Sequence, residues 1–216
     1  MHHGEICGRD VATSQPLRVK WSDGLISEAT PAPDAPADTW LAPTLLDLQI
    51  NGYGGVDFQR ADHLTEPLLL SAARQLRRDG CGRFFFTLIT DEWPKLMARV
   101  QRARAIREAN PELRAALAGW HIEGPFLSPE VGFKGAHNAA VMRDATEADL
   151  RELRAVTGRD PVLLTLAPER GGSLEAIRCA ASLGLVVSLG HTNASADTIR
   201  AAVAAGARGF THLGNG

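Results

Sequence analysis

The chain has 216 residues, 44% hydrophobic and 22% charged, the make-up of an ordinary globular protein long enough to bury a sizeable core. A formal net charge of -2 gives no electrostatic reason to expect nucleic acid or an anionic membrane surface as partner. Three scattered cysteines, Cys7, Cys81 and Cys179, make a poor disulfide framework, and neither a leader-like amino terminus nor a run of ~18 apolar residues occurs, so a cytoplasmic, non-membrane protein is expected.

In chain order, Leu17–Trp21 and Gly24–Ile26 alternate weakly, like short antiparallel strands joined at Ser22-Asp23-Gly24. From Thr30 to Pro43 the chain is rich in proline and cannot sustain a helix or a central strand. We therefore place a boundary there, with residues 1–42 as a small β element and 43–216 as the main domain.

Beyond Pro43, short continuous apolar runs alternate with segments of helical spacing, the pattern of buried parallel strands with crossover helices. The runs are Leu45–Ile50, Arg83–Ile89, Leu117–Ile122, Val162–Leu166, Leu185–Leu189 and Gly209–Leu213. Thr65–Arg78 and Pro94–Glu108 have the apolar spacing of surface helices. Thr146-Glu147-Ala148-Asp149 resembles a capping box, Ser173 and Ser195 can open the next two helices, and Gly184 and Gly206 can close them.

The short, regular spacing of the last units, ~23 residues from strand to strand, fits a (β/α) barrel of the TIM type better than an open sheet. A complete barrel takes ~250 residues, and only about 170 follow the boundary, so the α/β barrel is expected to be incomplete, with about six of eight units. Truncation, a gene break or cleavage is the expected cause.

Barrel enzymes carry their chemistry at the carboxyl ends of the strands, so polar residues closing an apolar run are the ones to collect. Glu123, His191 and His212 supply one carboxylate and two imidazoles, the donor set of a catalytic metal site with a position left for water. Taken singly, each histidine serves equally well as a packed structural residue. A glutamate at the end of a buried strand is costly without a partner, and a cation would be one. Gln49 and Asn51 sit on alternate residues of the first run and should point to the same side; they also suit a bland reading as strand-end amides. His137 lies in Lys134-Gly135-Ala136-His137-Asn138 on the loop after the third run, either as a surface histidine or as a member of the site. The Gly52-Tyr53-Gly54-Gly55 segment lacks the spacing of a nucleotide fingerprint. With no Gly-x-Ser-x-Gly elbow, and with Ser188 inside a strand, a serine nucleophile has little support.

Six segments in order carry a family resemblance: Asp47-Leu48-Gln49-Ile50-Asn51-Gly52, His121-Ile122-Glu123-Gly124-Pro125-Phe126, Lys134 to Asn138, Thr165-Leu166-Ala167-Pro168-Glu169, Gly190-His191-Thr192-Asn193-Ala194, and Thr211-His212-Leu213-Gly214-Asn215. With these the chain resembles the N-acetylglucosamine-6-phosphate deacetylases of the amidohydrolase superfamily, which have a Gln-x-Asn pair where most of that superfamily has His-x-His. The resemblance implies one divalent metal on Glu123, His191 and His212, zinc first, with iron or another divalent ion also acceptable to a Glu/His₂ set. It implies that His137 contacts the substrate carbonyl and that Asn215, with Gln49 and Asn51, helps bind the substrate. Two departures stand out, Pro43-Thr44-Leu45-Leu46-Asp47 ahead of the first motif and Gly214 before Asn215.

The implied reaction is hydrolysis of the acetamide of N-acetylglucosamine 6-phosphate, giving glucosamine 6-phosphate and acetate, by a homodimer when complete. The family's catalytic aspartate belongs to an eighth strand, so the chain alone is expected to be weakly active or inactive. The alternatives are an amidohydrolase acting on another N-acyl sugar or a cyclic amide, and a non-catalytic metal- or sugar-phosphate-binding remnant.

Overall fold

Residues 3–214 are described by a computed structural model, in which the chain separates into two compact units, one ending at Thr44 and the other beginning at Leu45. The first unit is a four-stranded sheet made of β1 (His3–Asp10), β2 (Pro16–Ser22), β3 (Leu25–Pro31) and β4 (Trp40–Leu41), in the order β3-β2-β1-β4. The β2–β3 turn is tight because Asp23 and Gly24 both take positive φ, 51° and 82°, the conformation that matches strand twist in a two-residue hairpin. Sequence patterning marks β2 and β3 but not β1, whose His-Gly-Glu-Ile-Cys-Gly-Arg-Asp has little apolar alternation; pairing with β2 and β4 on its two edges sustains it.

The second unit opens with β5 (Leu45–Ile50), a small ribbon of β6 (Gly52–Tyr53) and β7 (Val56–Asp57), and α1 (Glu66–Arg78). There follow β8 (Cys81–Ile89), α2 (Trp93–Ala109), α3 (Pro111–Ala116), β9 (Leu117–Glu123), α4 (Glu147–Thr157) and β10 (Val162–Leu166). It closes with α5 (Ser173–Ser182), β11 (Val186–Leu189), α6 (Ala196–Ala205) and β12 (Gly209–Phe210). The six long runs pair only in parallel, in the order β12-β11-β10-β9-β8-β5, a curled half-barrel sheet.

Several boundaries differ from the sequence reading. The last strand stops at Phe210, because His212 turns into the left-handed region (φ 58°) and takes the chain off the ladder. Helix α3 was missed, although Asn110 caps it and Pro111 occupies its first turn, a pairing suited to a helix start. Thr146 and Asp149 form the capping box and Ser195 caps α6, but Ser173 lies inside α5, where its hydroxyl donates to the Ala167 carbonyl, and Gly172 takes the cap.

The apolar runs also proved two-faced. On β8 to β11 one set of alternate residues, including Phe84, Phe86, Leu88, Trp120, Ile122, Leu164, Val187 and Leu189, joins the core with helix residues such as Leu76, Val100, Leu150 and Ile177. The other set includes Thr87, His121, Glu123, Thr165 and Ser188, all buried and polar. Phe58 caps the apolar side, stacked on Phe86 at 4.3 Å between ring centroids. Hydrophobic burial thus fixes the strands while leaving a polar inner face for chemistry. No helix among the described residues is long and apolar enough to cross a membrane.

Candidate metal centre

Glu123 is the last residue of β9 and is 1% exposed. Two imidazole nitrogens reach the same oxygen of its carboxylate: His191 Nε2 lies 3.2 Å from Oε1 and His212 Nε2 2.9 Å from it. Candidate donor atoms of these three residues all fall within 4.8 Å of one another. The other carboxylate oxygen accepts a hydrogen bond from Gln49 Nε2 at 2.9 Å. Burial pushes the Glu123 carboxyl up, but the His191 hydrogen bond and the surrounding imidazoles outweigh it and hold the group down at about 2. A buried anion results.

Local backbone geometry aims both imidazoles at Glu123, with His191 half-buried and His212 exposed. His191 (φ 51°) and His212 (φ 58°) are non-glycine residues in the left-handed region, a costly conformation that concentrates at functional sites. The residues before them touch: a Cβ on Gly190 would come within 2.8 Å of Thr211 Cβ, so glycine lets the ends of β11 and β12 approach. The two rings meet edge to face, centroids 5.2 Å apart.

His191 supplies the test of whether a cation fits. Its Nδ1 lies 3.2 Å from the Phe133 carbonyl, which can only accept, so Nδ1 carries the proton. In the neutral ring Nε2 then presents a lone pair to an ionised carboxylate oxygen. Two acceptors that close are satisfied by a second proton or by a metal ion, and a ring whose other N–H is anchored on a backbone carbonyl is the usual form of a metal-ligating histidine. Hydrogen bonding to Glu123 raises the His191 pKa against the opposing burial, which is the proton's answer to the same electrostatics. The donor set therefore suits a divalent ion.

His137 is buried, at 6% exposure, rather than lying on the surface of its loop. Its ring meets that of His191 at 4.3 Å between centroids, and burial pushes its pKa down to about 4, so it is neutral near pH 7. Gly135 has positive φ and passes over His191, where a Cβ would stand 3.1 Å from its Cε1. Thr192 and Asn193 are tied to the Glu169 carboxylate by a hydroxyl and a backbone hydrogen bond respectively, which steadies the turn after His191. A cleft of about 530 Å³ opens beside the cluster, lined by Phe133, Gly135, His191, Phe210, His212 and Gly214 among others.

Gln49 points to Glu123, while β5 ends at Ile50 and Asn51 is exposed one residue beyond it. Asn215 lies outside the described residues.

Beneath the cluster runs a buried chain of polar groups that sequence reasoning missed. His121 Nε2 meets Thr165 Oγ1, Thr165 Oγ1 meets Thr211 Oγ1, and Ser188 Oγ meets Thr211 Oγ1, each at 2.8 Å. Burial pushes His121 down to about 4. The chain fixes Thr211, the residue before His212. Thr90 was also missed, although it closes the Cys81–Ile89 strand and satisfies the criterion that found the other site residues.

Fold and site together define an α/β protein with a half-barrel of parallel strands and a Glu/His₂ cluster at their carboxyl ends. No protein-family model matches the chain. Among curated proteins it is 39% identical over 181 residues to the N-acetylglucosamine-6-phosphate deacetylase of Bos taurus, covering 81% of this chain and 42% of that one. It is 39% identical over 178 residues to the N-acetylgalactosamine-6-phosphate deacetylase of Shewanella sp. (strain ANA-3), covering 82% of this chain and 42% of that one. Among solved structures, an N-acetyl-D-glucosamine-6-phosphate deacetylase from Mycobacterium smegmatis superposes with a TM-score of 0.83 at 28% identity, over 100% of this chain and 56% of that one. By sequence and by fold the chain is similar to amino-sugar 6-phosphate deacetylases over this part of their length. It spans less than half the length of these curated relatives.

Proposed function

We propose that the chain carries the metal-binding half of an N-acetylglucosamine-6-phosphate deacetylase barrel of eight units, which hydrolyses the acetamide to glucosamine 6-phosphate and acetate. The observation that carries this reading is the convergence of His191 Nε2 and His212 Nε2 on one oxygen of a buried, ionised Glu123. Glu123, His191 and His212 would hold one divalent ion, zinc first and iron or another as alternatives. When bound, such an ion polarises the scissile carbonyl and lowers the pKa of water in the site.

The chain's own residues do the rest. Gln49 holds Glu123 by its second oxygen, and the Phe133 carbonyl holds His191 by Nδ1, so both ligand groups are oriented in advance. Neutral His137, beside His191, donates to the carbonyl oxygen as negative charge develops there. The cleft beside the cluster receives the sugar, with Asn51 and Asn215 as further substrate contacts. The leaving amine requires a proton, and by resemblance this general acid–base step falls to a strand-end aspartate that the matched motifs do not include. A cytoplasmic homodimer is part of the same reading.

A second substrate has specific support: the Shewanella relative, an N-acetylgalactosamine-6-phosphate deacetylase, shares the same identity, 39%, as the bovine one. The test is acetate release by the purified protein from both phosphorylated sugars and from unphosphorylated N-acetylglucosamine, together with metal analysis. Bound metal at one ion per chain and selective release from a 6-phosphate support the proposal. Metal-free protein that takes up no zinc and releases no acetate sinks it.

A further inference from the structure

We propose that Thr90 is a positioning residue that sets the tautomer of His137, so that the imidazole presents an Nε2–H to the site. The inference rests on the reading of His137 as the group that meets the substrate carbonyl. Thr90 follows the last residue of β8 and is 7% exposed, against 6% for His137. Two of its groups address one ring nitrogen: the Thr90 backbone N–H donates to His137 Nδ1 at 3.4 Å, and Thr90 Oγ1 lies 2.8 Å from the same atom.

A backbone N–H has no acceptor role, so Nδ1 must offer its lone pair. An imidazolium has none to offer, and neither does the tautomer protonated at Nδ1. The remaining form carries its single ring proton on Nε2, the general case in which the bond made by one nitrogen decides the state of the other. The hydroxyl, 2.8 Å from Nδ1 and 3.4 Å from the Glu123 carbonyl, can donate to either, so the backbone N–H is the group that selects the tautomer.

The surroundings hold Thr90 in place for this. A Cβ at Gly124, which directly follows Glu123, would fall 2.0 Å from Thr90 Oγ1, so the glycine leaves the hydroxyl its position. One threonine thereby links the exit of the Glu123 strand to the ring on the neighbouring loop. A fixed Nε2–H stabilises charge on an oxyanion without reorganising when the charge appears. The opposite tautomer would place a lone pair there and repel it.

The direct experiment is long-range ¹⁵N–¹H correlation NMR on the purified chain labelled at histidine, with the His137 signals assigned by their loss in His137→Gln. An Nε2–H pattern for His137 is expected; an Nδ1–H pattern overturns the proposal, whatever the deacetylase activity. Thr90→Val should mix the two tautomers and lower kcat on N-acetylglucosamine 6-phosphate by roughly 10-fold with a smaller change in KM, the scale typical of losing an orienting partner. Thr90→Ser, which keeps the hydroxyl, should restore both signature and rate. A Thr90→Val protein with the unmixed Nε2–H pattern and the parental rate overturns the positioning role. If that variant does not fold, the parental and Thr90→Ser spectra decide. An Nε2–H pattern in a protein without deacetylase activity upholds the tautomer assignment and removes only the functional reading on which it rests.

Discussion

His191 Nε2 stands 3.2 Å from Glu123 Oε1 while its Nδ1 is committed to the Phe133 carbonyl, so the neutral ring turns a lone pair toward an anion. Removing the anion removes the reason for a cation. Glu123→Gln keeps the shape of the side chain and should abolish zinc binding. In the parent, zinc at about 100 times its Kd should raise the free energy of unfolding by about 2.7 kcal/mol, and in the variant that increment should vanish. Urea denaturation with and without zinc measures both. An equal increment in the two proteins would show that the ion sits elsewhere.

Gln49 acts on the same carboxylate from the other side, through a 2.9 Å hydrogen bond to Oε2. Gln49→Leu should weaken zinc binding by roughly 10- to 100-fold while leaving the ligand count at three. Competition with a chromophoric chelator gives the affinity. An unchanged value would make Gln49 a bystander of the metal and leave it to the substrate.

Gly190 is needed for space: a Cβ would lie 2.8 Å from Thr211 Cβ and 3.0 Å from Thr165 Cγ2, on the hydroxyl chain under His212. Gly190→Ala should therefore push the ends of β11 and β12 apart, lowering both Tm and zinc affinity. A loss of Tm alone, with zinc affinity intact, would show that the site tolerates the displacement.

Asp149 offers a pH test away from the metal. Burial pushes its carboxyl up, but hydrogen bonds from Arg143 and Thr146 prevail and hold it below its ordinary value of 3.8. A depressed carboxyl stabilises the fold fully above its unfolded-state pKa and loses that contribution as pH falls through the folded value. Urea midpoints of the parent and of Asp149→Asn should differ near neutral pH and converge on acidification below about pH 4. A difference that persists unchanged into strong acid would assign the effect to packing instead.

Much of this could be read from the residues. The six parallel strands were legible because each lies in a short, mainly apolar run, and Glu123, His191 and His212 because polar residues stand at or just beyond the ends of such runs. The hydrogen bond from Gln49 to Glu123 was not, since it joins residues 74 positions apart and no spacing encodes it. The two-faced character of the sheet was hidden for a related reason: His121, Thr165 and Ser188 sit among apolar neighbours and show their purpose only when three strands bring them together. Strand β1 lacked a pattern of its own, because its partners rather than its side chains define it. Dihedral angles were likewise invisible, as nothing in Gly-His-Thr or Thr-His-Leu announces a left-handed turn.

Those two turns set durability against ligation. The left-handed region costs an ordinary side chain on the order of 1–2 kcal/mol, and far less for glycine or asparagine. His191 and His212 both occupy it. A laboratory selection for heat tolerance, run in a chelator, should therefore discard these histidines early and install glycine or asparagine in their place. The survivors would be hardier proteins that no longer bind the ion, a trade that zinc in the selection medium would reverse.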